Sequence, residues 1–234
     1  MIVKIGIIHN NGRMFEVWKL LERSHQVSLI SKGVYDVLLY GLQHLELSDL
    51  EGVKGKYIVC GSCSDEVKEL GNVICLLENE SFLQANAIVT AWGIVEVLLR
   101  HSQQCLDKIA VDVIGYGRCG KALVKLLEDL HVEYRVVVRS LEDVQLQFMH
   151  YEEYLFHTPY QWIVMTSENC IFDKYWVERY GKFTQIIDIT SQYKGTLKIQ
   201  KENIGILYAK GLPDVYCTKS GAIAYVDSIK EILV

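Results

Sequence analysis

The run Val111-Asp112-Val113-Ile114-Gly115-Tyr116-Gly117-Arg118-Cys119-Gly120-Lys121-Ala122 narrows what this chain can fold into more than any other. Residues 109–114 read as a buried strand that breaks at Gly115, turns through Gly117 and enters a helix at Gly120. The amphipathic stretch 121–130 continues that helix. Each glycine has a physical task in such a turn: Gly115 permits the bend, Gly117 lets backbone amides approach a pyrophosphate, and Gly120 lets helix and strand pack closely. The helix then offers free N–H groups and the positive end of its dipole to phosphate. Tyr116, Arg118 and Cys119 share that turn and are expected beside the cofactor. The plainer reading of the same residues is a strand–turn–helix connection with no ligand.

Around this motif the chain alternates strand-like and helix-like runs, the pattern of α/β folds with mostly parallel sheets. Strands are expected at residues 2–8, 26–31, 37–40, 57–60 and 73–77, with helices at 14–23 and 65–70. These make a small flavodoxin-like α/β unit over residues 1–79. Residues 80–104 read as a linking helix, with Phe82, Ala85, Val89, Trp92, Val95 and Leu99 at helical spacing. Residues 105–214 read as a doubly wound Rossmann domain with strands at 109–114, 134–138, 162–166, 185–189 and 204–208. A helix over residues 215–234 closes it. The fold class is thus α/β in two units joined by long helices, with substrate expected in a cleft above the carboxyl ends of the strands.

Composition removes several classes of function. With 234 residues, half of them hydrophobic, the chain can build real cores. A net charge of −5 with no basic run gives no general attraction to nucleic acid or anionic membrane. The apolar runs read as strand-length or amphipathic, too short for a membrane span, and the N-terminal residues read as a core strand rather than a signal peptide. Seven scattered cysteines fit a reduced cytoplasm better than a disulfide framework.

NAD-specific sites place a carboxylate about 20 residues past the fingerprint, at the tip of the second strand. Here that tip carries Arg139 and Ser140, a guanidinium and a hydroxyl suited to a 2′-phosphate. The expected cofactor is therefore NADP, with NAD possible and a solvated surface role for Arg139 as the alternative. Thr166 ends a strand over the same crevice and is expected near the ribose.

Several stretches together resemble the A subunit of dipicolinate synthase, within the wider set related to D-2-hydroxyacid dehydrogenases. They are Asn86-Ala87-Ile88-Val89-Thr90-Ala91-Trp92-Gly93, the glycine turn, Val138-Arg139-Ser140, and Gly211-Leu212-Pro213-Asp214-Val215-Tyr216-Cys217-Thr218-Lys219-Ser220-Gly221. The segment from Glu78 to Leu141 and the C-terminal run cover about one-third of the chain. The resemblance implies an oxidoreductase with a nicotinamide cofactor, acting on a small cyclic dicarboxylate in the dihydrodipicolinate pathway of spore formers, beside a flavoprotein-like second subunit. It carries Gly211, Leu212, Pro213, Lys219 and Gly221 over onto this chain, and Asp188 matches a family aspartate. The first unit is shorter than in that family, and Ser191-Gln192-Tyr193-Lys194-Gly195 lacks the usual Pro-Gly, which points to a diverged paralogue.

Hydride transfer asks the protein for placement, a proton donor or acceptor, and a hold on the substrate. Lys219, after a Gly-Leu-Pro turn and near a helix start, is the candidate catalytic residue; an exposed helix-start lysine is the alternative. Asn86 and Thr90, one helical turn apart, are expected at the substrate with Gly211, Leu212 and Pro213, or else as polar residues of a seam. His131, His150 and His157 are not expected at strand ends, which speaks against the usual histidine acid–base pair. A non-catalytic dinucleotide-binding sensor or partner subunit of the same fold is the rival reading, and self-association is open to both. Cys60-Gly61-Ser62-Cys63 is a C-x-x-C after a strand, whose thiolates a following helix would stabilise. It has neither a second pair for zinc nor the thioredoxin order of elements, so no metal site is expected.

Overall fold

The computed structural model describes residues 2–8, 11–30, 32–140 and 147–234. Met1, Ser31 at the end of the expected second strand, and Leu141 at the end of the resembling segment lie outside the described residues. In chain order the elements begin β1 (Lys4–Ile7), α1 (Gly12–Leu21), β2 (Gln26–Leu29), β3 (Gly33–Leu39), β4 (His44–Leu45), β5 (Val53–Cys60), β6 (Ser62–Cys63), α2 (Asp65–Lys68) and β7 (Val73–Cys75). They continue through α3 (Glu80–Ser102), β8 (Ala110–Ile114), α4 (Arg118–Asp129), β9 (Glu133–Val138), β10 (Phe148–His150), α5 (Tyr151–Tyr154), β11 (Trp162–Met165), α6 (Lys174–Tyr180), β12 (Gln185–Asp188) and β13 (Gly205–Tyr208). The last two helices are α7 (Leu212–Val215) and α8 (Thr218–Asp227).

Two compact units result: Met1–Val89 with Pro213–Val234, and Thr90–Leu212. The chain leaves the first unit inside α3 and returns to it inside the short α7, so the second unit is an insertion in the first.

In the first unit five parallel strands run in the order β2-β1-β3-β5-β7. With the two-residue ladder β4/β6 set aside, this is the flavodoxin-like order 2-1-3-4-5. Alternate residues of β3 face opposite cores, as the pleat requires. Val37 and Leu39 join Ile5, Ile7, Met14, Val17 and Leu21, while Leu38 joins Ile58, Leu45 and Val67. A sheet buried on both faces accounts for the unbroken apolar runs at its strand ends. The other halves of β3 and β5 alternate exposed and half-buried residues, which is why a reading of apolar runs places those strands several residues too short. The C-terminal helix also differs from expectation. Ala222, Tyr225, Ile229 and Leu233 lie in the core of the first unit with Phe82, and the Tyr225 hydroxyl donates to the Tyr40 carbonyl at 3.1 Å.

The second unit is a six-stranded parallel sheet, β10-β9-β8-β11-β12-β13, the dinucleotide-fold order 3-2-1-4-5-6. Its third strand, β10, is short and half-buried and left no apolar run to read. In β8, Val111 and Val113 face one way; Ile114 and Asp112 face the other, where Ile114, Val137, Ile163, Met165, Tyr154 and Trp176 form a core. Fully buried Asp112 accepts from Arg135 Nε at 2.8 Å and Nη2 at 2.9 Å, from the Tyr154 hydroxyl at 2.8 Å and from the Tyr160 amide at 2.8 Å. Burial pushes its carboxyl up, and Arg135 with the other donors pulls back. Within the aromatic run 151–162, the Tyr154 hydroxyl and the Tyr160 amide thus anchor α5 and its loop to this carboxylate.

Helix α3 follows the expected stripe in part. Phe82, Val89 and Val95 are buried, with Ala87, Ala91, Ile94 and Leu98 beside them, while Trp92 and Leu99 are 48% and 41% exposed. Contrary to the sequence reading, it is long and apolar enough to cross a membrane by length and composition, although 56% of its most apolar window is buried in the fold.

Removing the Asp112 carboxylate strands a buried guanidinium, a phenol and an amide. Asp112→Ala should therefore lower unfolding free energy by about 3–5 kcal/mol, read from urea denaturation followed by far-ultraviolet circular dichroism.

Candidate functional site

The second unit's sheet order reverses between β8 and β11, and a crevice at that switch point, outside the strands' carboxyl ends, is where such sheets bind ligands. A cavity of about 620 Å³ occupies it, lined by Ile114, Gly115 and Tyr116 after β8, Val137, Val138 and Arg139 at the end of β9, and residues 167–171 after β11. Lys194, Leu197 and Lys198 close its other side. Among the described residues, three cations, Arg139, Lys194 and Lys198, stand against one lining carboxylate, Glu168, which pairs with Lys194 at 3.1 Å.

The three glycines differ in what demands them. Gly115 has φ +101°, and a Cβ there would stand 2.8 Å from Thr166 Oγ1, so both conformation and space require it. A Cβ on Gly120 would fall on the Gly115 carbonyl oxygen, so helix α4 packs onto the turn only because position 120 has no side chain. Gly117 is neither strained nor crowded: its φ is −75°, and a Cβ would meet nothing within 4 Å. Neither conformation nor packing in the described fold requires that glycine, and a turn without a side chain there leaves room for the close approach of a ligand. Gly117 is also the N-cap of α4 and supplies no capping side chain, whereas Asn11 caps α1 and Asp173 caps α6. A helix start without a capping side chain is a position at which an anion can bind. The residues present fit a pyrophosphate.

Other expected residues fall as follows. Tyr116 lines the cavity and packs edge-on against Phe148 at 4.8 Å. Arg118 and Ser140 are exposed, and Cys119 is half-buried. Burial pushes the Cys119 thiol up although Arg118 opposes it. The Thr166 hydroxyl lies 3.0 Å and 3.2 Å from the Ile114 and Gly115 carbonyls and shares its proton between them, stapling β11 to the turn. Asp188 is buried; it accepts from the Thr190 amide and hydroxyl at 2.8 and 2.6 Å and from the Thr196 hydroxyl at 2.7 Å. This knot anchors the segment Ser191–Ile199, in which Gln192 and Tyr193 both take φ +54°. That conformation costs roughly 1–2 kcal/mol for each L-residue, and the segment delivers Lys194 and Lys198 to the cavity.

His150, contrary to expectation, does end a strand. Its Nε2 donates to the Arg139 carbonyl at 2.7 Å and its Nδ1 accepts from the Glu152 amide at 3.3 Å, so it ties the end of β10 to the residue after β9. His157 Nδ1 donates to the Glu153 carbonyl at 3.1 Å. Among the described residues no histidine lines the cavity.

The residues expected at substrate do not line this cavity. Asn86 and Thr90 sit one turn apart on α3, Thr90 buried. Leu212 is buried, and a Cβ on Gly93 would stand 2.7 Å from its Cβ, which explains the Ala-Trp-Gly sequence by close packing. Gly211 is exposed with φ +67°. Pro213 and Gly221 surround an ion pair that the sequence did not announce: Arg13, 2% exposed, meets Asp214 at 2.6 Å, and burial lowers the guanidinium's pKa. Lys219 is exposed in the first unit, lining a crevice of about 260 Å³ with Glu16, Lys19, Leu20, Arg23 and Ile223.

The C-x-x-C motif is also more than its spacing showed. Cys75 lies beside Cys60 and Cys63, the three sulfurs within 4.8 Å of one another. Burial pushes the Cys60 and Cys63 thiols up, the reverse of thiolates stabilised by a helix start.

Two doubly wound parallel sheets, the second opening on a glycine turn, define the two-domain, dinucleotide-binding dehydrogenase class of fold. No family model matches the sequence, and no curated protein matches it. Among solved structures the chain superposes on the A subunit of dipicolinate synthase from Bacillus halodurans, with a TM-score of 0.79 and 15% identity over 100% of this chain and 99% of that one. The Bacillus subtilis counterpart gives a TM-score of 0.72 and 17% identity, covering 99% and 97%. NAD⁺-bound 3-phosphoglycerate dehydrogenase of Entamoeba histolytica gives 0.54 and 12%, covering 100% and 95%. The likeness is in fold, and it is to the same synthase component that the sequence motifs resemble.

The glycines should separate experimentally. Gly120→Ala should lower the thermal midpoint of the second unit by several degrees, since about 1–3 kcal/mol of overpacking enters the turn. Gly117→Ala should leave it unchanged; scanning calorimetry distinguishes the two.

Proposed function

We propose that this chain binds a nicotinamide dinucleotide in the cavity after β8 and acts as an oxidoreductase on a small cyclic dicarboxylate. Gly117 carries the reading, a glycine that neither backbone conformation nor packing requires, at the start of α4 and next in the chain to Gly115 and Tyr116, which line a cationic cavity. Gly115, Gly117 and Gly120 shape the pyrophosphate turn, with the amides of Arg118 and Cys119 beside it. The substrate class comes from the name of the dipicolinate synthases whose fold it shares. When bound, the nicotinamide supplies or accepts a hydride; the chain binds it, orients it and excludes water.

NADP is the cofactor we favour over NAD. Arg139 lines the cavity at the tip of β9, with Ser140 next in the chain and Lys194 and Lys198 across from it, an arrangement matched to a 2′-phosphate. Lys219, Asn86, Thr90 and the Gly211-Leu212-Pro213 turn remain the proposed substrate contacts. A flavoprotein-like second subunit, self-association and a cytoplasmic setting belong to the same proposal; all seven cysteines are free thiols, as a reducing compartment favours.

A second reading, a dinucleotide-binding sensor or partner subunit without turnover, draws on one observation: among the described residues no histidine lines the cavity, and His150 and His157 are engaged with backbone carbonyls. Absorbance assays with a cyclic dicarboxylate separate the two. Turnover of the nicotinamide upholds the enzyme; tight binding without turnover upholds the sensor.

Titration calorimetry tests the cofactor. Arg139→Asp should weaken NADPH binding by about 1.5–3 kcal/mol, roughly 10- to 150-fold, while NADH binding changes little. Equal loss for both would reassign Arg139, and no binding of either to the folded wild-type chain would end the proposal.

A further inference from the structure

The first unit gathers three thiols that the dinucleotide reading does not use. Cys60 closes β5 and Cys75 closes β7, and the two are register partners on adjacent parallel strands. Between them the chain folds back through Gly61, where a Cβ would fall on the backbone of Leu42. The Gly61 carbonyl accepts from the Leu77 amide at 2.9 Å. The ladder of β4 with β6 pairs Leu45 with Cys63, and the Ser64 amide bonds the Leu45 carbonyl at 3.1 Å. Backbone pairing alone thus fixes all three positions. Cys63 Sγ lies 3.5 Å from Cys75 Sγ, and the three sulfurs lie within 4.8 Å of one another.

Two metal–sulfur bonds of about 2.3 Å at a tetrahedral angle hold their sulfurs about 3.8 Å apart, close to the 3.5 Å between Cys63 and Cys75 and inside the 4.8 Å limit on all three. We infer that Cys60, Cys63 and Cys75 form a binding site for a thiophilic divalent cation of the zinc class, independent of the dinucleotide site. Cys60 and Cys63 are buried and Cys75 is half-buried, so the ion enters from the Cys75 side, where its fourth position lies. Binding converts three thiols to thiolates and releases three protons to solvent. Three thiolates with a divalent ion leave one negative charge in a pocket walled by Leu45, Ile58 and Val67. A monovalent ion would leave two, and the cost of burial rises steeply with charge. The bound ion ties the carboxyl ends of β5, β6 and β7 together.

The test is anaerobic titration of the reduced full-length protein with Co²⁺, followed by displacement with Zn²⁺. One equivalent of cobalt per chain, with thiolate-to-metal charge-transfer bands that zinc abolishes, is expected. Cys75→Ser, the substitution at the least buried of the three, should weaken cobalt binding at least ten-fold, while Cys170→Ser in the second unit leaves it unchanged. Absence of thiolate bands in the wild-type titration overturns the assignment, with no variant needed. So does a folded Cys75→Ser protein that binds as tightly as wild type. A Cys63–Cys75 disulfide formed on air oxidation of a chain that takes up no cobalt would make the trio a redox pair instead.

Discussion

The contact between Gly120 and the Gly115 carbonyl decides the geometry of the second unit's business end. Helix α4 can lie down on the turn only because Gly120 carries no Cβ, and Thr166 ties the same carbonyl to β11. Were α4 to lift by the thickness of a methyl group, its uncapped amides would no longer be held at the crevice. Strand order, turn and helix dipole therefore act as one device, and the cations at the rim matter only because that device is in place.

The second shaping force at this site is less visible. A buried carboxylate, Asp188, organises Thr190 and Thr196 and so anchors a segment that includes two consecutive residues in the left-handed region. Strain of this kind persists where surrounding bonds over-determine it, and it clusters at functional sites. Here it faces two lysines and a leucine toward the same cavity as Arg139. The aspartate that matched a family position thus acts at a distance, through the segment it pins.

Much of this architecture was legible in the sequence because its causes are local. The glycine turn and the apolar ends of parallel strands declare themselves within a few residues. What was not legible depends on pairing across the sheets. Asp112 looks like an intruder in an apolar strand until Arg135, Tyr154 and Tyr160 converge on it from 23 to 48 residues away. Cys75 stands 12 residues from Cys63 and gains meaning only when β5 and β7 are seen to be neighbours. Arg13 and Asp214 lie at opposite ends of the sequence. Trp92 and Leu99 fit a helical stripe, yet the buried side of α3 leaves them exposed, since periodicity fixes the spacing of a face but not its partner.

The placement of the C-terminal residues in the first unit's core bears on how the molecule is made. Residues 90–212 form a continuous stretch whose six strands are all present once that stretch has left the ribosome. The unit that precedes it, in contrast, lacks Tyr225, Ile229 and Leu233 until residues beyond the second unit have been made. Synthesis from the amino end usually lets the leading domain fold first; here the leading unit's core is closed only by residues that follow the unit inserted in it.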